Sequence, residues 1–469
     1  MERGIHMFYC REEELAELNK RYARGNFECV VIYGRRRVGK TALINEFCRE
    51  KKTVFFSALN ASAQENLASL SKSVFEAEHP GEYHAPVYHS FDDVLEAVTR
   101  LAEKERLVFV IDEYPYLAKA DPSISSRLQH IIDHVWQHGN LFVILCGSSM
   151  SFMENQVLGY ESPLYGRRTA QLKIQGLTYR EMTAFHPQLS YEKQALLYGI
   201  TGGIPHYINK LGVGDDLDEA LKENLFHSAS YLFEEPENLL KQELREPAMY
   251  NSIITAIAQG ASRVNEIATK AGIESSACMK YLGVLLELGI LKKETPITEK
   301  AGRKTIYLLG DNFFRFWYRF VPGTMSAVTS GRIELVYDLA VKRYFSDYMG
   351  LVFEQMCREY LLRYASELPI VLTDVGQWWG SDPKLRKEVQ IDIVGTPLEG
   401  REYIIGSCKY RNEKIGVDEL ELLRSYASVF GKGDRYHYYI FSKGGFTDGL
   451  QEMEVRGEVT LVGLDDLYK

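Results

Sequence analysis

The 469-residue sequence lacks several features that would place it in a special class of protein. No apolar run approaches the ~20 residues that a membrane-spanning helix needs. Its seven cysteines are scattered and include no Cys-x-x-Cys pair, which argues against a disulfide framework and a zinc ribbon. The first residues contain no apolar signal core. We therefore expect a soluble protein of the reducing cytoplasm, without a membrane partner.

An excess of basic residues is missing as well. Lys and Arg number 55 against 64 Asp and Glu, a net charge of −9, so the whole chain has no electrostatic footprint for nucleic acid, and any such contact would depend on a local patch. Hydrophobic residues make up 45% and charged residues 25%, the balance of a globular protein. The length predicts about three domains.

Short apolar runs alternate with amphipathic helical stretches in the first 180 residues. Four runs read as buried strands: 29–33, 53–57, 107–111 and 141–145. Continuous apolar strands separated by helices predict an α/β fold with a parallel sheet covered on both faces.

The rest of the chain divides where this pattern changes. Helical patterns dominate after residue 180, and residues 247–310 show three short helices followed by two extended runs, the outline of a winged helix. Mixed α and β patterns return after residue 340. The predicted domains are an α/β core (1–180), a helical lid (181–240), a winged helix (241–312), a linker (313–345) and a mixed α/β domain (346–469).

A phosphate-loop pattern, G-x-x-x-x-G-K-[ST], lies between the first strand and a helix. Two glycines turn backbone amides inward at a helix N-terminus, where the dipole favours anions. The lysine is expected to reach the β- and γ-phosphates, and the threonine hydroxyl to ligate Mg²⁺. The predicted phosphate-binding residues are Gly34, Arg35, Arg36, Arg37, Val38, Gly39, Lys40 and Thr41.

Two carboxylates follow the third apolar strand, at Asp112 and Glu113. Ligands bind at the carboxyl ends of parallel strands, so Asp112 is expected beside the magnesium ion. Glu113 is then placed to orient and polarise an attacking water. The alternative is that the pair only ends a strand and caps a helix.

Three further side chains are candidates for the same site. Ser148 follows the fourth strand and is our choice for a residue that senses the γ-phosphate, although a tight turn alone explains small residues there. Arg167 and Arg168 precede another extended run, and one of them is a candidate arginine finger. A solvated arginine pair is the alternative.

Together these motifs resemble the AAA-type P-loop ATPases known as the archaeal ATPase family, which are related to the STAND ATPases. The resemblance rests on Phe8–Leu15, the tri-arginine phosphate loop, Ile111-Asp-Glu113 and the lid motif Gly202-Gly-Ile-Pro205. It implies ATP and Mg²⁺ as ligands, Arg11 near the adenine, and Pro205 in a lid that closes over the nucleotide. It also places the family's arginine on Arg167 or Arg168.

The predicted winged helix has two interpretations. Its recognition helix has Lys280 as its only basic residue, and one cation can make few contacts with DNA phosphates. The wing, in contrast, contains several basic residues. These are Lys292, Lys293, Lys300, Arg303 and Lys304. The module either contacts DNA through the wing or transmits the nucleotide state mechanically, as in related STAND proteins.

The C-terminal region resembles the restriction-endonuclease-like fold. That pattern, a helix Glu, an Asp and Glu-x-Lys, binds Mg²⁺ through its carboxylates, and its lysine activates water. Glu354, Asp392 and Lys409 match it, but Ser407 stands where the second Glu belongs. A hydroxyl is a weak, neutral magnesium ligand, so a degenerate docking module for nucleic acid or protein is favoured over an active nuclease.

These motifs lead to one functional hypothesis and two rivals. The first is an ATPase whose ATP·Mg²⁺ hydrolysis drives a conformational switch acting through the winged-helix and nuclease-like domains. The rivals are a DNA-binding regulator or defence component with ATP as a conformational ligand, and an ATP-gated, metal-dependent nuclease. The oligomeric state and the protein partner stay open.

Overall fold

We describe a computed structural model of the chain, which covers residues 8–82, 86–214, 216–300, 302, 304–382 and 386–469. The chain divides into two compact units. The first extends to Leu177 and includes Ile204–His206, and the second comprises Thr178–Gly203 and Tyr207–Lys469. No helix in these ranges is long and apolar enough to cross a membrane.

The first unit contains a five-stranded sheet in the order β2-β3-β4-β1-β5, with all neighbouring strands parallel. Its elements are α1 (Glu12–Tyr22), β1 (Glu28–Tyr33), α2 (Lys40–Cys48), β2 (Thr53–Ser57), α3 (Ala63–Glu78), α4 (Phe91–Lys104), β3 (Val108–Asp112), α5 (Tyr114–Ala120), α6 (Ile124–His134), β4 (Phe142–Gly147), α7 (Met150–Phe152) and β5 (Ala170–Lys173).

Apolar side chains explain this sheet. Every residue of β1, β3 and β4 is buried, because helices cover both faces of a parallel sheet. Helix α4 buries seven side chains on one face and starts at a Ser90 cap that accepts a hydrogen bond from the Asp93 amide. The predicted α/β fold with a parallel sheet is confirmed.

The second unit begins with helices. They are α8 (Tyr191–Thr201), α9 (Pro205–Leu211, whose first two residues belong to the first unit), α10 (Leu217–Asn224), α11 (Glu235–Glu243), α12 (Pro247–Ala258), α13 (Val264–Ala271) and α14 (Ser275–Glu287). Strands β6 (Leu291–Glu294) and β7 (Ile306–Leu309) then form an antiparallel hairpin. The predicted three helices and two extended runs at 247–310 are therefore present.

The predicted linker is helical and contains α15 (Asn312–Phe320), α16 (Met325–Thr329) and α17 (Ile333–Val336). The aromatic side chains Phe313, Phe314, Phe316 and Trp317 of α15 are buried. The domain boundaries stay a prediction.

A mixed sheet of five strands, in the order β12-β11-β10-β9-β8, follows. Strands β8, β9 and β10 pair antiparallel, whereas β10, β11 and β12 pair parallel. The elements are α18 (Phe345–Glu359), β8 (Leu372–Asp382), β9 (Lys387–Pro397), β10 (Glu402–Lys409), α19 (Val417–Phe430), β11 (Arg435–Ser442), α20 (Asp448–Val455) and β12 (Thr460–Gly463). The predicted mixed α/β region is confirmed.

Candidate functional site

The phosphate loop leaves β1 at Gly34, where the backbone runs against the end of β5. A Cβ on Gly34 would lie 2.1 Å from the carbonyl oxygen of Ile174, so only glycine fits. Gly39 has a φ of 94° and precedes the first residue of α2. The loop therefore ends directly at a helix N-terminus, the position that favours bound phosphate.

Lys40 is the first residue of α2, and its side chain is 7% exposed. Its Nζ donates hydrogen bonds of 2.9 Å to the carbonyl oxygens of Gly34 and Arg35. Burial lowers the pKa of Lys40, while Glu113 and Asp112 act in the opposite direction. The ammonium is held inside the loop by backbone oxygens.

Thr41 and Asp112 come together from α2 and β3. The Thr41 hydroxyl donates a 3.0 Å hydrogen bond to Asp112 Oδ2, and the Glu113 amide donates one of 3.0 Å to Oδ1. Asp112 is buried. A hydroxyl and a carboxylate are oxygen ligands of the kind that Mg²⁺ takes in phosphate-binding sites. This donor pair fits the magnesium ion that the phosphate loop implies.

Glu113 and Ser148 form a hydrogen-bonded pair at the ends of β3 and β4. The Ser148 hydroxyl donates to Glu113 Oε2 at 2.9 Å, and the Ser148 amide lies 3.3 Å from the same oxygen. Glu113 has a left-handed backbone (φ 51°), which is uncommon for a residue other than glycine. The predicted γ-phosphate sensor, Ser148, therefore contacts Glu113, the residue predicted to orient the attacking water.

Arg11 binds one backbone oxygen of the phosphate loop and one that follows β5. Its guanidinium donates to the carbonyl of Val38 at 3.3 Å and to that of Gln175, and pairs with Glu14 at 3.0 Å. The side chain is 8% exposed. Arg11 ties the start of the first unit to the phosphate loop.

Two other predicted binding residues also lie beside the loop. A Cβ on Gly39 would lie 3.9 Å from Cγ of Pro205, so the start of α9 approaches the start of α2. The Arg36 guanidinium donates a 2.5 Å hydrogen bond to the Tyr116 hydroxyl on α5. Arg37 has a left-handed backbone, with a φ of 72°.

The two candidate arginine fingers have partners within the first unit. Arg167 forms a two-pronged ion pair with Asp133 of α6, with N–O distances of 3.0 and 2.8 Å. Arg168 donates to the carbonyl of Leu158 at 3.2 Å. The pairing lowers the pKa of Asp133, chiefly through the hydrogen bond from Arg167. Asp133 is a partner that the sequence pattern did not reveal.

The wing cations are partly neutralised. Lys292 pairs with Glu294 at 2.8 Å, and Lys304 pairs with Glu299 at 2.7 Å. Lys293 and Lys300 are exposed. Arg303 lies outside the described residues, so DNA contact through the wing stays a prediction.

A second constellation surrounds Ser407 in the mixed sheet. Its hydroxyl donates to Glu419 Oε1 at 2.7 Å and lies 3.5 Å from Asp392 Oδ2. Lys409 Nζ lies 2.8 Å from the Ser407 oxygen, 3.1 Å from Glu419 and 3.9 Å from Asp392. Burial raises the pKa of Asp392, and Lys409 acts in the opposite direction.

Glu419 is the residue that the sequence analysis missed. It lies in the first turn of α19, twelve residues after Ser407, and its carboxylate occupies the neighbourhood where the Glu-x-Lys pattern lacks one. The sequence indicated this role only weakly, because acidic residues are common in the first turn of a helix, where they interact favourably with the helix dipole. Only the packing of α19 against β10 brings it to the lysine.

Glu354 lies on α18 and has different contacts. It accepts a 2.5 Å hydrogen bond from Gln377 and lies 3.5 Å from Arg358. Burial, followed by Asp392, raises its pKa to about 7, while Arg358 and Gln377 oppose the shift. Among the residues that the structure describes, no three His, Cys, Asp or Glu side chains form a compact metal-binding group. The predicted metal ligands Glu354 and Asp392 interact electrostatically, but they are not part of such a group.

A parallel sheet of this strand order, with a phosphate loop between β1 and α2, defines the P-loop NTPase class of protein. Residues 8–211 match a family described as an ATPase domain predominantly from Archaea. Residues 317–420 match a family described as archaeal and bacterial proteins of unknown function.

Sequence comparison with known proteins identifies a family within this class. The chain is 32% identical to uncharacterized protein MJECL04 of Methanocaldococcus jannaschii, over 91% of this chain and 96% of that one. It is 47% identical over 49 residues to uncharacterized ATP-binding protein MJ0423 of the same organism, which is 10% of this chain and 83% of that one. The chain belongs to the same family as MJECL04 and carries the archaeal ATPase domain.

A solved structure supports the fold. The Walker-type ATPase PABY2304 of Pyrococcus abyssi aligns with a TM-score of 0.52, covering 66% of this chain and 96% of that one at 20% identity. At this identity the similarity concerns the fold alone.

Proposed function

We propose that the protein binds and hydrolyses ATP·Mg²⁺ and uses the nucleotide state as a conformational switch. The observation that carries this is the joint position of Lys40, Thr41 and Asp112, which brings an ammonium, a hydroxyl and a carboxylate to one helix N-terminus. These are the parts that phosphate loops use to hold a triphosphate and its metal ion.

Each side chain has a proposed task in this reaction. Lys40 and the loop amides bind the phosphates, while Thr41 and Asp112 hold Mg²⁺, which would neutralise phosphate charge. Glu113 orients the attacking water. In the structure its carboxylate accepts hydrogen bonds from Ser148, so Ser148 controls where that carboxylate points. Arg11 and Pro205 position the loop and the nucleotide, and Arg167 or Arg168 acts as the finger once it leaves its present partner.

The switch acts through the second unit, whose three helices and hairpin at 247–310 are the proposed winged helix. Helix α9 supports a link, because it starts with Pro205 beside Gly39 and its later residues belong to the second unit. A change at the phosphate loop therefore has a covalent route, along one helix, out of the first unit.

Steady-state ATP hydrolysis and nucleotide binding by the full chain test this proposal. Lys40→Ala is expected to lose ATP binding, whereas Glu113→Gln should still bind ATP and hydrolyse it about 100-fold or more slowly. Chelation of divalent cations should stop hydrolysis. Lys20→Ala and Glu50→Gln are matched controls, since both side chains are exposed. Absence of binding by the unaltered chain at millimolar ATP would contradict the proposal.

A second function, metal-dependent cleavage of nucleic acid, is favoured by one contact. Glu419 supplies a carboxylate beside Ser407, Lys409 and Asp392. Two carboxylates with water and a substrate phosphate form an ordinary Mg²⁺ environment, and Lys409 is placed to activate a water. We propose that Glu419 takes the place of the acidic residue missing at position 407 in a restriction-endonuclease-like site.

Plasmid incubated with the full chain and Mg²⁺ or Mn²⁺, with and without ATP, tests this second function. Glu419→Gln and Asp392→Asn should both remove cleavage. Glu421→Gln is the control, because Glu421 is exposed on the same helix. Absence of cleavage under every nucleotide condition would leave a degenerate module that docks nucleic acid or protein.

A further inference from the structure

A small cavity in the second unit lies between the β6–β7 hairpin, α15 and α18. Its volume is about 210 Å³. Four basic side chains line it: Lys292 of β6, Arg315 and Arg319 of α15, and Arg358 of α18. We call this cavity the basic pocket. Lys292, a candidate for DNA contact in the wing, also lines this cavity.

Carboxylates balance only part of this positive charge. Glu294 bridges Lys292 at 2.8 Å and Arg358 at 3.0 Å, and Glu354 is the other acidic side chain in the lining. Arg319 pairs with Asp347, whose side chain is 74% exposed and lies outside the lining, so solvent weakens that pair. The four cations therefore outnumber the two carboxylates that line the pocket.

Arg315 carries the clearest sign of a missing partner. Its guanidinium donates to the neutral side-chain oxygen of Asn312 and lies over the Tyr348 ring, but no described carboxylate pairs with it. Its Nε is buried without a hydrogen-bond partner among the described residues, and so is the Nε of Arg358. Buried donors almost always have a partner, either protein, water or ligand. Two such donors beside one cavity show that the protein leaves its arginines incompletely paired.

We propose that the basic pocket binds a compact, multiply charged oxyanion of the phosphate class. Guanidinium groups match the oxygens of a phosphate with paired hydrogen bonds, and three of them line this pocket. The volume is below the several hundred Å³ of typical ligand sites, which favours inorganic phosphate or pyrophosphate over a whole nucleotide. A bound anion would join the hairpin, α15 and α18 through its contacts.

Calorimetric titration of the full chain with pyrophosphate and with inorganic phosphate, at constant ionic strength, tests this site. The chain carries Lys40→Ala, so that the phosphate loop does not contribute to the signal. Binding is expected, and Arg315→Gln should weaken it by about 10-fold or more. Arg315 is the residue to change because its removal leaves no carboxylate without a partner. Arg343→Gln, an exposed arginine of the same unit, should bind like its parent.

Folding of each variant is checked by circular dichroism, and Arg315→Lys serves if the glutamine variant does not fold. The lysine keeps the charge but loses the planar fork, so pyrophosphate should bind more weakly than to the parent. No heat of binding in the Lys40→Ala chain, or equal affinity in the Arg315 variants, would overturn the inference. Absence of ATP binding by the unaltered chain, with pyrophosphate binding retained in the Lys40→Ala chain, would instead contradict only the proposed ATP site.

Discussion

Glu359 on α18 is an acidic side chain in surroundings that disfavour its charge. Burial raises its pKa to about 7, and Glu181 adds to the shift. Arg363, 3.7 Å away, and a hydrogen bond from the Tyr179 amide act against it. Its Oε2 is buried and has no hydrogen-bond partner among the residues described. The protonated form therefore fits this position better than the carboxylate.

We predict that Glu359→Gln stabilises the protein at pH 8 and changes little at pH 4.5. A folded-state pKa above the unfolded value means that stability is full at low pH and is lost as pH rises from about 4.5 to about 7. The free energy of unfolding falls by about 3 kcal/mol at most over this range. Glutamine resembles the protonated carboxyl group and has no charge at any pH, so the variant should avoid this loss.

Melting temperatures of the two proteins across this pH range measure the difference. Glu367→Gln is the control, because Glu367 is exposed on the segment after α18. A stabilisation by Glu359→Gln that is equal at both pH values would contradict the assigned cause.

Two glycines differ in the space that surrounds them: Gly34, in the β1–α2 connection, has no room for a side chain, whereas Gly283, in α14, has open space around it. At Gly34 a Cβ would lie 2.1 Å from the Ile174 carbonyl oxygen, and both neighbouring strands are fixed by the sheet. At Gly283, within α14, a Cβ would meet nothing within 4 Å and the backbone is ordinary helix.

We expect Gly34→Ala to destabilise the first unit by about 2 kcal/mol or more, because backbone atoms must move. Gly283→Ala should stabilise α14 by about 0.5–1 kcal/mol, since alanine loses less backbone entropy on folding. Chemical denaturation of both variants measures the two effects. A tolerated Gly34→Ala would show that the loop and β5 separate at little cost.

On the scale of the whole molecule, the two compact units need not unfold in one step. A ligand that binds only the folded first unit shifts only the transition of that unit. We predict that ATP·Mg²⁺ at about 100 times its dissociation constant stabilises that transition by about 2.7 kcal/mol.

Calorimetric scans with and without nucleotide check this prediction. Lys40→Ala should show no shift, and Lys20→Ala should show the full one. A nucleotide shift of the same size in Lys40→Ala would mean that ATP binds elsewhere.

Much of the first unit could be predicted because its signals are local. The runs 29–33, 53–57, 107–111 and 141–145 were read as strands, and the observed strands β1 to β4 differ from them by at most two residues at either end. A strand that is buried on both faces of a parallel sheet has a continuous apolar sequence, so such short runs can be recognised directly. In the mixed sheet, β8 was missed, because Asp, Gly and Ser interrupt its pattern and its pairing with β9 has register shifts.

The sequence by itself determined the phosphate loop and the acidic strand end, because contacts between chain neighbours and the common edge of parallel strands bring Lys40, Thr41 and Asp112 together. Only the tertiary structure decided the partners that arrive from distant elements: Asp133 at Arg167, Glu419 at Ser407 and the cations around the basic pocket. Their positions depend on how helices pack against sheets, and no local pattern of residues specifies that packing.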